Sequence, residues 1–186
     1  MASLTTARAT LDDLYRTEGK AELIGGRIVQ MANGHLPSVV AGNIYVDLRS
    51  FIKAAKQGNA YSDGIGFAVP ELPSGRESFS PDASYYDGLL PTNLMRFIEG
   101  APKFAAEVRS ENDYGDPAED AMAAKRSDYF AAGTEVVWDV DPIAETVTVY
   151  RASASDQPVV FRRGDDVDAE PAVPGWRMKV DDIFAP

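Results

Sequence analysis

Cysteine is absent from this 186-residue chain, and histidine occurs once, as His35. The first absence excludes a disulfide scaffold and any thiolate metal site. The second excludes a zinc centre built on imidazoles. A resident metal would have to be a hard cation on oxygen ligands. No apolar run approaches the roughly 20 residues a membrane span needs. The N-terminus lacks the basic, apolar and small-residue order of a signal peptide, so the expected compartment is the cytoplasm. Cations are also scarce: 18 Lys and Arg stand against 29 Asp and Glu, a formal charge of −11. That balance argues against a generally nucleic-acid-binding surface, because neutralising phosphates takes clustered Lys and Arg. It leaves room for a local basic groove.

Apolar residues make up 45% of the sequence, enough for a real core. The length fits one domain over residues 1–186, with 1–9 as a loose leader. Thr10 and Asp13 are spaced as a capping box for a short helix. The apolar runs on either side of Gly25-Gly26 predict a hairpin, because both glycines accept positive φ. Val40, Ile44, Leu48, Phe51 and Ile52 recur at helical spacing within a helix expected over Pro37–Gln57, with Gly58 as its stop. Arg49, Lys53 and Lys56 form one charged stripe on that helix, which could follow a nucleic-acid backbone or simply be solvated. Strands are expected at NAYSD, IGFAVPEL, DASYYD and KFAAEVRS. Asp116 as N-cap, Pro117 and Glu119 should open a second helix that ends at Gly133. TEVVWDV, TVTVYR and PVVFR should add three strands, and the tail should end in a short helical turn. This order predicts an α/β sheet with helices packed on it.

Strand periodicity narrows the chemistry. In KFAAEVRS, Phe104, Ala106 and Val108 point one way, and Ala105, Glu107 and Arg109 the other. Asp82 opens the strand that follows Pro81. If the two strands pair, two carboxylates and a cation meet on one side of the sheet. Such a pair suits Mg²⁺ or Mn²⁺, which can polarise a phosphodiester and lower the pKa of bound water.

Taken together, AELIGGRIVQM, SPDASYYD, FAAEVRSEND, AAKRSDYFAAGTEVVWDVDP and PGWRMKVDDIF resemble, in order and spacing, the Uma-two family of restriction-endonuclease-like proteins within the PD-(D/E)XK superfamily. The resemblance spans nearly the whole chain. It implies a mixed central sheet flanked by helices, with an N-terminal hairpin (an α+β arrangement). It also implies a Mg²⁺- or Mn²⁺-dependent endonuclease acting on DNA, with Asp82, Glu107 and the Val108 carbonyl as metal ligands. Glu22 matches an additional family acid, and Lys125 the helical lysine that stands in for a strand lysine. Arg109 occupies the superfamily's usual lysine position; it stays protonated, so it can clamp a phosphate but cannot act as a base. His35 carries no evident mechanism and reads as a loop or cap residue. A homodimer is expected if both duplex strands are cut. The competing reading is a non-catalytic binding or structural protein that keeps the fold, in line with Arg109 and the charge of −11. A two-carboxylate glycosidase would leave the cation beside Glu107 unexplained.

Overall fold

A computed structural model describes residues 8–31 and 34–186, so most of the expected leader lies outside the described residues. The first helix, α1 (Leu11–Tyr15), opens with the foreseen capping box: Thr10 accepts from the Asp13 N–H, and the Asp13 carboxylate accepts from the Thr10 N–H. Strands β1 (Ala21–Ile24) and β2 (Arg27–Gln30) form the predicted hairpin. Gly25 and Gly26 turn it at φ 57° and 69°, which only glycine adopts cheaply.

The long helix α2 runs His35–Ala55, two residues ahead of the expected start, because Pro37 fits within a first turn whose N–H groups have no helical acceptor. It stops at Lys56, which takes the left-handed conformation (φ 53°) before Gly58 is reached. Beyond it come β3 (Asn59–Ser62), β4 (Phe67–Ala68), β5 (Ser78–Phe79), β6 (Ala83–Tyr86), β7 (Ile98–Glu99) and β8 (Phe104–Val108). The run IGFAVPEL keeps only two strand residues, since Pro70 has no N–H to donate. Strands β5 and β7 are too short to carry a periodic signal and pair on either side of β4.

Helix α3 (Asp116–Ala131) has Gly115 as its N-cap, so Asp116 lies one position inside the helix, where its charge still favours the N-terminal dipole. The chain then forms β9 (Val136–Asp141), β10 (Thr146–Arg151), β11 (Val159–Arg162), β12 (Asp166–Asp168), β13 (Arg177–Lys179) and the short helix α4 (Val180–Ile183). The central sheet has the order β11-β10-β9-β8-β6-β3 and is mixed: β8 and β9 are parallel, the other pairs antiparallel.

The two faces of this sheet are buried differently. On one face, Ile44, Leu48 and Ile52 of α2 pack with Phe104, Ala106, Val108, Trp138 and Trp176. On the other, Tyr129 of α3 packs with Phe79, Ala105 and Val137. Glu107 shares the Ala105 side of β8, so it projects beneath α3 and away from α2. Among the described residues, no helix is long and apolar enough to cross a membrane.

Candidate functional site

Register brings Glu107 of β8 together with Asp82, the residue just ahead of β6. Ala83 pairs with Ala106 across β6 and β8, and the Asp82 N–H donates to the Ala106 carbonyl at 3.0 Å, so one more step of the same register sets Asp82 opposite Glu107. Directly opposed residues of antiparallel strands point to the same side. The Val108 N–H donates to Asp82 Oδ2 at 2.7 Å, while the Val108 side chain is buried in the core of the other face. Val108 therefore reaches the site through its backbone.

The β1–β2 hairpin and α3 wall the two carboxylates in. Lys20 Nζ lies 2.5 Å from Asp82 Oδ1 and 2.9 Å from Asp63. Glu22, 1% exposed, accepts the Ser80 N–H at 2.9 Å and faces Lys125 Nζ at 3.1 Å. Its other oxygen accepts from Arg76, which also donates to Asp128 at 2.9 Å. Lys125 donates to Glu107 Oε2 at 2.8 Å, and the Tyr129 hydroxyl to Glu107 Oε1 at 2.6 Å. Lys125 and Tyr129 reach the same carboxylate because four residues along a helix share a face. These groups line a cleft of about 380 Å³. Its lining holds five cationic and five carboxylate side chains, so the cleft is close to neutral in a chain of charge −11.

The electrostatics follow from burial and these partners. Burial pushes the Glu22 carboxyl up, but Lys125 and Arg76 outweigh it and hold the acid below its ordinary range. Glu107 goes the other way: burial, then Asp82 and Glu22, raise it against the pull of Lys125 and Lys20. Burial alone would favour neutral Lys125, yet Glu107 and Glu22 keep it firmly protonated. Lys20 is likewise raised, by Asp82 and Glu107 acting against burial. The buried Tyr129 phenol is pushed well above its usual value by burial and by the two nearby acids, so it remains a donor.

Of the residues singled out from the sequence, Glu22, Asp82, Glu107, Lys125 and the Val108 backbone converge. Arg109 lines the same cleft but is turned to Asp139 (2.7 and 2.8 Å) and Glu119 (2.5 and 3.2 Å). His35 is the exposed first residue of α2. Of the expected Arg49, Lys53 and Lys56 stripe, Arg49 and Lys53 belong to α2, the helix on the sheet face opposite Glu107, whereas Lys56 is its left-handed cap and leaves the helical face. Sequence reading missed Lys20 and Arg76. Lys20 was accessible, being two residues before Glu22 and so on the same side of an extended chain. Arg76 follows the Pro73-Ser74-Gly75 turn, where no periodicity assigns it a direction.

A family model named Uma2 and described as "Putative restriction endonuclease" matches residues 8–181. No curated protein matches the sequence. Among solved structures, the chain is similar to one titled as a "putative nuclease belonging to DUF820" from Anabaena variabilis, at 21% identity and a TM-score of 0.72. That similarity covers 94% of this chain and 97% of the other, and at this identity it speaks for the fold.

Proposed function

Since the chain belongs to the Uma2 family of restriction-endonuclease-like proteins, we propose that it hydrolyses DNA phosphodiester bonds in the cleft, with Mg²⁺ or Mn²⁺ held by Asp82 and Glu107. The observation that carries this reading is the opposition of these two carboxylates across β6 and β8, with the Lys125 ammonium 2.8 Å from Glu107. The donor set fits a hard cation. It offers carboxylates, with the Val108 carbonyl on the same strand, and no thiolate or imidazole among its named groups. The spot also attracts positive charge already, since Lys20 sits on Asp82. When bound, such an ion would polarise the phosphodiester and supply a water of lowered pKa.

The side chains of the chain provide the rest. Lys125 spends two of its three N–H bonds on Glu107 and Glu22, and the third can meet a phosphate oxygen. That places fixed positive charge where negative charge grows in the transition state. Glu22, held ionised by Arg76 and Lys125, anchors the ammonium. Tyr129 fixes the rotation of the Glu107 carboxylate. Cutting both strands of a cytoplasmic duplex would call for a two-fold dimer, which light scattering in solution would detect.

Nicking of supercoiled plasmid in Mn²⁺ tests the proposal. Wild-type protein should nick, and Glu107→Gln and Asp82→Asn should lose at least about 100-fold in rate. Nicking that persists in Glu107→Gln would mean the activity belongs to another protein. The alternative, a binding protein without turnover, draws on the fact that the chain's own cations meet all three acids, Glu22, Asp82 and Glu107. It predicts no metal-dependent nicking by the wild type.

A further inference from the structure

Many lysines and arginines of this acidic chain are tied to carboxylates. Arg49, Lys53 and Lys56 are exposed and make no ion pair among the described residues. A step of four residues keeps Arg49 and Lys53 on one stripe of α2, with Tyr45 one turn before them on the same side, and Lys56 follows just beyond the helix as its left-handed cap. The guanidinium of Arg49 is 5.9 Å from the centre of the Tyr45 ring. Beside them a second cavity, of about 270 Å³, opens at the sheet's edge strand β3 and is lined by Tyr45, Arg49, Asn59, Tyr61, Ser62 and Asp63.

This cavity adjoins the cleft. Asp63 lines the cavity and pairs with Lys20 at 2.9 Å, and Lys20 lines the cleft and reaches Asp82 at 2.5 Å. The one acid in the cavity wall is thus countered from the cleft side. Although α2 packs on the face opposite Glu107, β3 is an edge, and its residues alternate between faces: Ala60 joins the α2 core, and Tyr61 packs against the α3 core. A polymer can therefore pass from one face to the other around β3.

We propose that the β3 edge cavity and the α2 stripe form a track for the nucleic-acid strand leaving the cleft, with phosphates on Arg49, Lys53 and Lys56 and a base against Tyr45 or Tyr61. The proposal rests on DNA as the substrate of the cleft. Charge complementarity selects the occupant, because three unpaired cations in a chain of charge −11 fit a polyanion. Aromatic rings beside them suit stacking of an unpaired or splayed base. From Arg49 to its last residue, Ala55, the helix rises about 9 Å, a length over which a nucleic acid carries several phosphates.

The test is anisotropy of a labelled DNA duplex, titrated with NaCl in Ca²⁺ to hold off cleavage. The variant Arg49→Ala/Lys53→Ala/Lys56→Ala should lower the slope of log affinity against log salt by about 2 to 3, and Arg49→Gln alone by about 1. A control, Arg162→Ala/Arg177→Ala/Lys179→Ala, removes the same charge from β11 and β13 and should leave the slope near the wild-type value. The Mn²⁺-induced rise in Tm should be the same in all variants, which also checks that they fold. Unchanged slopes in the stripe variants, or equal losses in stripe and control variants, overturn the track. So does a stripe variant that alters only self-association. A wild type that nicks plasmid while the stripe variants keep their slope leaves the nuclease reading standing without the track. A wild type that neither binds nor nicks DNA removes both.

Discussion

Arg109 and Asp139 meet as a fork on a fork, with Nε 2.7 Å from Oδ1 and Nη2 2.8 Å from Oδ2, and the guanidinium then extends to Glu119. The cation two places beyond Glu107 is therefore committed to joining β9 and α3. A lysine cannot hold two carboxylates bidentately. Arg109→Lys should cost about 1–3 kcal/mol of stability in a denaturant titration without raising nicking activity. A variant as stable as the wild type, or a faster one, would show that Arg109 is free to serve the substrate.

Lys20 pairs with Asp82, a side chain only 4% exposed, and on the proposed function it would compete there with a divalent ion. Lys20→Met should lower the Tm of the metal-free protein, because the buried carboxylate loses a counter-charge. It should also enlarge the Mn²⁺-induced rise in Tm, since a ligand bound only to the native state stabilises it by an amount that grows with the logarithm of its affinity. A Mn²⁺ shift equal to or smaller than that of the wild type would place the ion away from Asp82.

Tyr129 stacks on Phe79 at 4.1 Å between ring centres while its hydroxyl holds Glu107. Tyr129→Phe keeps the stack and removes the hydrogen bond. The expected loss is about 1–2 kcal/mol in stability, together with slower nicking at unchanged affinity for DNA in Ca²⁺. If nicking is unaffected while stability falls, the hydroxyl is structural only.

Glu22 makes stability depend on acid. Its folded carboxyl ionises at lower pH than the ordinary value of 4.5, so below that value the unfolded chain binds more protons than the native one. The stabilisation from Glu22 is therefore complete above the ordinary range and disappears as pH falls through the folded value. Glu107, raised instead of lowered, works in the opposite sense. The measurement is thus the difference in Tm between wild type and Glu22→Gln as pH is lowered. That difference should shrink toward acid, and a constant difference would show that Glu22 is not held ionised.

Much of this arrangement is legible in the sequence because it follows from short-range rules. Alternation along β8 separates Glu107 from the core-facing Phe104, Ala106 and Val108, and Gly25-Gly26 fixes the hairpin that carries Glu22. The four-residue step from Lys125 to Tyr129 puts both on one helical face. Other features depend on distant neighbours. Arg76 is buried at 6% exposure only because Glu22 and Asp128, far away in the chain, close over it. Arg109 obeys the alternation that sets it beside Glu107, but its long side chain is drawn to Asp139 and Glu119, which no pattern within β8 encodes.

The hairpin that supplies Lys20 and Glu22 has a consequence for how the molecule comes apart. Lys20 lies 62 positions from Asp82, and Glu22 58 positions from Ser80. Such pairs form only after the intervening chain has been closed into a loop, so they are poor candidates for a folding nucleus. Interactions absent from the transition state act on the rate of escape from the native basin and leave the rate of entry nearly untouched. The charge cluster thus serves as a latch on the finished molecule. Weakening it would shorten the lifetime of the folded chain while refolding continued at its usual pace.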